Sequence, residues 1–359
     1  MNILGVSCFY HDSAAALLQD GLLVAAAEEE RFSRIKHDFG YPRLAIDFCL
    51  ETAGIKPADL DYVVYYEKPF VKFERILTSC LATFPKSYTL FRESMITWLS
   101  EKLWVKNQVA EELRIPSNRV ISVDHHASHA ASAFFSSPFD RAAILTVDGV
   151  GEWATAAFGR GNGEKLVMDR EIHFPHSLGL FYSAFTAFLG FEVNEGEYKV
   201  MGMAPYGSPR YVDKIWKVIQ LEPAGAFRLN MEYFSFHHST RNTFSRRFVD
   251  LFGTPRQRDL HFFTSGTEYP AYFGDKPPDF ESMARANQHY ADIAASVQKV
   301  TEEVLLHMVR GVHEATGETR LCMAGGVALN SVANGRILRE SAIKELYVQP
   351  AAGDGGGAL

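Results

Sequence analysis

The chain opens on short apolar runs separated by polar punctuation. ILGVSC (3–8) and SAAALLQ (13–19) flank a polar loop, FYHD, and each has the length of a buried strand. Asp20-Gly21 reads as a hairpin turn into a third strand, LLVAAAE (22–28). A charged stretch, EERFSRIKHD, follows, and a helix opens near Pro42, a residue tolerated in a first turn. DYVVYY (61–66) predicts another buried strand. Residues 74–114 carry Ile76, Leu77 and Leu81, then Met95, Trp98 and Leu99, then Leu103, Val109 and Leu113 at helical spacing, with Pro85 as a break. RVISVD (119–124) predicts a strand, and HHASHAASAFF (125–135) continues as a helix.

A second strand cluster then begins with AAILTVD (142–148), WATAAFG (153–159) and KLVMDREIHF (165–174), joined by Gly-rich turns. Both clusters share a plan. A strand ends in a polar turn (CFYHD, DGVGE), a second strand carries small residues (SAAALL, WATAAF), and a third closes the meander. This is a weak internal repeat; two unrelated meanders in one α/β chain would look the same at this level. The middle of the chain, 175–280, is aromatic and Pro-rich, with helices predicted near 178–190, 208–220 and 241–252, and has the character of a specificity insertion. A long helical pattern covers 282–316, with Ile293, Val297, Val300, Val304, Leu305, Met308, Val309 and Val312 on one face. RLCMAGG (320–326) predicts a strand running into a Gly turn, ALNSVANGRILRE a helix, and ELYVQP (345–350) a strand.

Composition narrows the function classes. With 359 residues, 47% of them hydrophobic and 22% charged, the chain has ample material for a core. A net charge of −7 provides no broad basic surface, so nucleic acid is not expected as a partner. No apolar run approaches the ~20 residues that cross a bilayer. The N-terminus lacks the basic region of a signal peptide. The four cysteines, at 8, 49, 80 and 322, form no CxxC pair and fit reduced thiols in the cytoplasm. The last residues, AAGDGGGAL, form a Gly-rich turn with no element after it, so a fragment of a longer protein is expected.

The densest chemistry is D-H-H-A-S-H at 124–129. On a helix, His125 and His129 lie one turn apart on one face, a spacing at which two imidazoles can hold one metal. Such pairs also occur on exposed helices that bind nothing. Asp148, ending AAILTVD, and Asp354, in the last turn, are candidates to complete the site, and two His with carboxylates suit Fe(II), Mn or Zn alike. His11 and Asp12 sit between the first two strands, where a His can serve as general base or be an ordinary turn residue. Gly149, in the DGVG turn, and Gly325-Gly326, ahead of a helix, offer backbone amides to a phosphate. No GxGxxG or GxxxxGK[ST] motif lies between a strand and a helix, so Rossmann and P-loop readings lack support. Glu197 and Lys199 in GEYKVMGMAPYG (196–207) either line a site or belong to a rigid connecting loop. Lys36 either reaches a substrate or is simply solvated. The middle region also holds His237, His238, Arg241 and Asn242, which could face a substrate.

Together, GVSCFYHDSAAALLQDG, AAAEEERFSRIKHD, VDHHASHAASAFFSSPF, LTVDGVGEWAT, GEYKVMGMAPYG, CMAGGVALN and PAAGDGGGA resemble the NodU/CmcH-type O-carbamoyltransferases, which decorate antibiotics such as tobramycin and cephamycins, or nodulation factors. The seven blocks occur in family order from residue 3 to the end. The resemblance implies an α/β chain with a duplicated actin-like/sugar-kinase (ribonuclease H-like) fold, similar to the tRNA threonylcarbamoyladenosine synthase subunit. Two lobes, 1–140 and 141–359 with an insertion at about 175–280, would flank a nucleotide cleft. It implies carbamoyladenylate, made from ATP and carbamoyl phosphate by a C-terminal YrdC-like domain that has no counterpart in this sequence, as the carbamoyl donor to a small-molecule hydroxyl.

On matching positions, the resemblance makes His125, His129, Asp148 and Asp354 the ligands of an iron-like divalent metal. It makes His11 the base for the acceptor hydroxyl and Lys36 a contact to acceptor or intermediate. Gly325, Gly326 and Asn330 become nucleotide-facing residues alongside Gly149. The rival readings are an ATP-dependent sugar-kinase-like phosphotransferase and a nucleotide-binding fragment without turnover. A homodimer is compatible with the sequence.

Overall fold

The computed structural model describes residues 1–258, 260–267 and 269–359. Its first sheet grows from the N-terminal meander: β1 (Asn2–Ser7), β2 (Ala14–Gln19) and β3 (Leu22–Glu28). Asp20 and Gly21 both have positive φ, 50° and 83°, the backbone that a two-residue hairpin with right-handed strand twist requires. β4 (Tyr62–Tyr65) adds parallel to β1, and β5 (Val120–Ser122) adds parallel to β4. The order is β3-β2-β1-β4-β5.

The second sheet repeats that plan. β6 (Arg141–Val147), β7 (Ala154–Asn162) and β8 (Lys165–His173) form an antiparallel meander, β9 (Arg320–Ala324) pairs parallel with β6, and β10 (Glu345–Val348) pairs parallel with β9. Strand for strand, the second sheet's order matches that of the first. The weak repeat in the sequence is therefore a duplication of a five-stranded mixed α/β unit, the arrangement of the expected actin-like fold.

Helices cover the sheets because their apolar faces match. α1 (Arg43–Ala53) turns Ala45, Ile46, Cys49 and Leu50 onto the core of Leu4, Val6, Leu17 and Val63. α2 (Pro69–Ala82) and α3 (Tyr88–Ser100) follow β4, with Pro85 between them as the pattern predicts. α4 (Val105–Leu113) adds Val105, Val109 and Leu113 to the same core. α5 (His125–Phe134) packs Ala130, Ala133 and Phe134 against Ala142, Ile144, Cys322 and Ala324 of the second sheet. The small residues of β1 and β2 make room for the chain's last turn, Asp354–Ala358: Ala14 and Ala16 pack on Ala358, and a Cβ at Gly5 would overlap the Ala358 carbonyl.

Two compact units form. Met1–Phe174, Val312–Leu329 and Ala342–Leu359 make one, which contains both sheets; Pro175–Gly311 and Asn330–Ser341 make the other. The second unit holds α6 (Leu178–Phe188), α7 (Glu197–Met203), α8 (Arg246–Phe252), most of α9 (Phe280–Thr316) and α10 (Ser331–Glu340). Its core is aromatic, with Phe185, Phe188, Phe248 and Phe252 in edge or tilted contact.

Three elements of the middle region differ from expectation. The helix predicted at 208–220 is a single turn, Val212–Ile215, followed by a strand, Ile219–Leu221. Ile219 pairs with Leu229 and Leu221 with Phe227, so cross-strand partners override the helical spacing. The 241–252 helix starts only at Arg246, because the Ser239 hydroxyl accepts from the Arg241 and Asn242 amides and holds them in a turn. Most of GEYKVMG, read as a site-lining or connecting loop, is helix α7. Among the described residues no helix is long and apolar enough to cross a membrane.

Candidate metal centre

α5 starts directly after β5, and its first turn is fastened from two sides. The His125 amide donates to both carboxylate oxygens of Glu152 at 3.2 Å, and the Ser128 hydroxyl donates to the Tyr66 carbonyl at 3.1 Å. Asp124, at the cap position, instead pairs with Lys68 at 2.8 Å. Glu152 thus acts as a cap supplied from the β6–β7 turn, a role that no local motif in the sequence signals. This fixes which way the three histidines point. His126 turns into the second sheet, where its ring lies 2.7 Å from the Thr146 hydroxyl and donates to the Ala154 carbonyl at 3.0 Å. Burial, aided by the neighbouring His125 and His129, pushes its pKa down to about 3, so it is a neutral structural residue.

His125 and His129 share the opposite face. Their Nε2 atoms are 3.1 Å apart, and His125 Nε2 is 3.0 Å from Asp148 Oδ2. Asp354 Oδ1 lies 3.7 Å from both imidazole nitrogens, and His129 Nε2 lies 3.7 Å from Asp148 Oδ2. Donors about 2.1 Å from one ion would be ~3.0 Å apart at adjacent octahedral corners and ~3.4 Å apart in a tetrahedron. The four residues converge at that spacing, so the donor set fits a divalent metal. Both histidines and Asp354 are fully buried, whereas the Asp148 side chain stays 13% exposed and marks the open side.

The charges agree with the geometry. Burial opposes ionisation of Asp148, yet His125 and His129 hold its carboxyl well below the usual range. Asp354 is likewise lowered against burial, chiefly by His125 and His129. Burial opposes the His129 imidazolium, but Asp148 and Asp354 raise it to about 9. In the metal-free protein a proton thus supplies positive charge where a cation would sit.

Glycines let the turns approach. A Cβ at Gly151 would lie 2.9 Å from His125 Cδ2. Gly325 has φ +92° and donates to the Ala352 carbonyl at 2.7 Å. The Gly326 amide donates to Asp148 Oδ1 at 2.9 Å and so orients a carboxylate of the candidate metal site. Gly149 follows Asp148 in the β6–β7 turn. Asn330, in the second unit, caps α10 by accepting from the Ala333 amide at 3.1 Å, and its amide group pairs with Gln298 at 2.9 and 3.0 Å.

His11 stands beside the cluster. Its Nδ1 donates to Asp12 Oδ2 at 2.8 Å, and its Nε2 points toward Asp354 Oδ2 at 3.9 Å. Burial disfavours its charged form, but the Asp12 hydrogen bond, reinforced by Asp354, raises the pKa to about 9. Asp12 accepts a second bond from His37 Nδ1 at 2.7 Å, and the His37 amide is held by Glu30 at 3.0 Å. Asp12 and His37 both adopt left-handed backbone, φ 54°. His37 stands next to Lys36 in the charged block, and no spacing in the sequence marks it as a site residue. Lys36 itself is exposed. Glu197 accepts from the Ser183 hydroxyl at 2.8 Å and the Asn194 amide at 3.2 Å within the second unit.

The model of the family described as carbamoyltransferase N-terminus matches residues 2–359. An uncharacterized protein of Synechocystis sp. is 49% identical over 368 residues, covering 100% of this chain and 56% of that protein. Nodulation protein NolNO of Sinorhizobium fredii is 33% identical over 357 residues, covering 98% of this chain and 45% of its own length. The chain therefore spans about half the length of these relatives. Among solved structures, HypF from T. kodakarensis aligns with a TM-score of 0.44 at 15% identity, over 99% of this chain and 46% of that one.

Proposed function

The chain belongs to the carbamoyltransferase N-terminus family, and from that premise we propose that it transfers a carbamoyl group from carbamoyladenylate to a hydroxyl of a small natural product or sugar. The observation that carries this reading is a histidine with one nitrogen anchored on Asp12 and the other directed at a buried two-His, two-Asp cluster. His125, His129, Asp148 and Asp354 would hold a divalent metal, Fe(II) in this reading, which when bound supplies Lewis acidity and neutralises phosphate charge. His11 Nε2 accepts the proton of the acceptor hydroxyl.

For that task His11 must be neutral, and its raised pKa draws on Asp12, Asp354 and Asp148. Once a dication takes up the charge of Asp354 and Asp148, the imidazolium keeps only Asp12 as support, and the base form becomes accessible near neutral pH. The amides at Gly149 and Gly325 hold adenylate, and Gly326 keeps Asp148 in place. Lys36 contacts the acceptor or the mixed anhydride. In the same reading a YrdC-like domain supplies carbamoyladenylate, and the reaction is cytoplasmic.

The test uses metal-loaded protein, carbamoyladenylate and a panel of sugar alcohols and aminoglycosides. His11→Ala should lose transfer by at least ~10²-fold while keeping its metal. His125→Ala should lose both. Transfer that survives His11→Ala, or metal content that survives His125→Ala, overturns the assignment.

A further inference from the structure

One turn of α2 buries two cations that differ in how they are compensated. Lys72, 4% exposed, pairs with Glu67, a carboxylate that also accepts from the Tyr65 hydroxyl at 3.4 Å. Arg75, 6% exposed, has no such partner. Its Nε is buried without an acceptor, and among the described residues no hydrogen bond or ion pair reaches its guanidinium. Its close support is the ring of Phe174, 4.8 Å away. The carboxylates whose charge reaches it are already engaged: Glu67 by Lys72, and Glu152 by the amides of Lys68 at 2.7 Å and His125 at 3.2 Å.

Deprotonation does not relieve this. Burial lowers the Arg75 pKa only to about 10, so the group is a cation at neutral pH. A guanidinium presents five N–H donors in a planar fork suited to two oxygens of one anion. Here no protein acceptor meets the fork and its Nε is sealed from solvent, a penalty that one ring contact does not offset. The position is close to the chemistry. The Tyr10 ring lies 4.8 Å from the His11 ring and carries the Lys72 ammonium 4.5 Å from its centroid. The Tyr10 phenol feels the charges of Lys72 and Arg75 together with those of Asp354 and Asp148.

We propose that Arg75 anchors an oxyanion subsite that seats a carboxylate or phosphate group of the acceptor, with the acceptor's hydroxyl turned toward His11. This rests on the carbamoyl-transfer reading for the identity of the ligand, though not for the existence of the subsite. Asp148 and Asp354 repel an additional anion, whereas the Arg75 end of the same neighbourhood attracts one. A bidentate contact there fixes direction as well as distance, which a lysine's point charge does not.

The test compares metal-loaded wild type, Arg75→Gln and Arg75→Lys by calorimetry and thermal unfolding, with inorganic phosphate and malonate as separate probes. One of the probes should bind the wild type at least tenfold more tightly than Arg75→Gln, and the tighter probe names the group. Arg75→Lys should recover part of the binding. Without a probe, Arg75→Gln should be at least as thermostable as wild type, since the uncompensated charge is gone; a merely structural arginine would lower stability instead. With carbamoyladenylate, Arg75→Gln should raise KM for anionic acceptors at least tenfold more than for neutral ones. Equal probe binding by wild type and Arg75→Gln, or a loss of unliganded stability, overturns the subsite. If no hydroxyl compound is carbamoylated while oxyanion binding still depends on Arg75, the transfer reading fails and the subsite is upheld.

Discussion

Gly151 offers a test of the metal centre that touches none of its ligands. The residue sits in the β6–β7 turn, and a Cβ added there would meet His125 Cδ2 at 2.9 Å, Cβ at 3.0 Å and Cγ at 3.1 Å. Carbon atoms in comfortable contact sit ~3.5–4.0 Å apart, so turn and imidazole must separate by about half an ångström. The imidazole has little room to give, because its amide is tied to Glu152 and its Nε2 faces Asp148 at 3.0 Å. Metal–ligand distances tolerate only about 0.2 Å. Gly151→Ala should therefore cost about 1–3 kcal/mol in stability, as overpacking does, and weaken metal binding by about 10–100-fold. Gly202→Ala is the control: a Cβ there has nothing within 4 Å, and on helix α7 it should stabilise by about 0.5–1 kcal/mol with metal binding unchanged. Urea unfolding and Zn(II) competition against a chromophoric chelator report the two quantities. Wild-type metal affinity in Gly151→Ala would refute the argument, whether stability fell or not, because the turn would then have yielded and the His125 ring would not be where the metal needs it.

Two further predictions follow from the charges. His129, raised to about 9 in the metal-free protein, must shed its proton when a cation binds. Apparent metal affinity should rise about tenfold per pH unit between pH 6 and 8 and level off above ~9, with about one proton released per metal in calorimetry; a flat profile would exclude the displacement. His126 works in the opposite sense on folding. It is neutral when folded, with a pKa near 3, and titrates at ~6.5 when unfolded, so below pH 6.5 the unfolded chain binds the extra proton. Stability present in full above pH 6.5 should fall by up to ~1.4 kcal/mol per pH unit on acidification, measurable in urea titrations of wild type and weaker in His126→Gln. Equal slopes in the two proteins would refute the buried neutral assignment.

The sheets were legible because their determinants are local. Asp20-Gly21 demands its hairpin, and the apolar runs at 3–8, 61–66 and 142–148 are too short for helices and too continuous for loops. Even the repeat showed itself through the alanines of β2, though their purpose did not: Ala14, Ala16 and Gly5 are small because residues near position 358 pack on them. A contact across most of the chain's length leaves no local pattern. The middle region failed for a related reason. Ile215 and Ile219 stand at a helical spacing, but the cross-strand partners of Ile219 and Leu221, Leu229 and Phe227, decide the outcome.

The candidate metal centre divides along the same line. His125 and His129 announce themselves by one-turn spacing, whereas Asp148 and Asp354 were reachable only as ends of strand-and-turn motifs, and the family resemblance joined the four. What spacing cannot convey is the second layer that gives each donor its direction. Glu152 caps α5 from another element, the Gly326 amide holds Asp148, and His37 reaches Asp12 across the first meander. These contacts explain why His125 and His129 face the carboxylates while His126, between them in sequence, turns away. They also link residues across elements: the Gly326 amide is bound to a carboxylate of the candidate metal site, and His11 acquires its Nε2 orientation from an Asp12 that is itself fixed by His37. The general-base role proposed for His11 requires its free nitrogen to be aimed, and the aim depends on His37, a residue that carries no recognisable signal of its own.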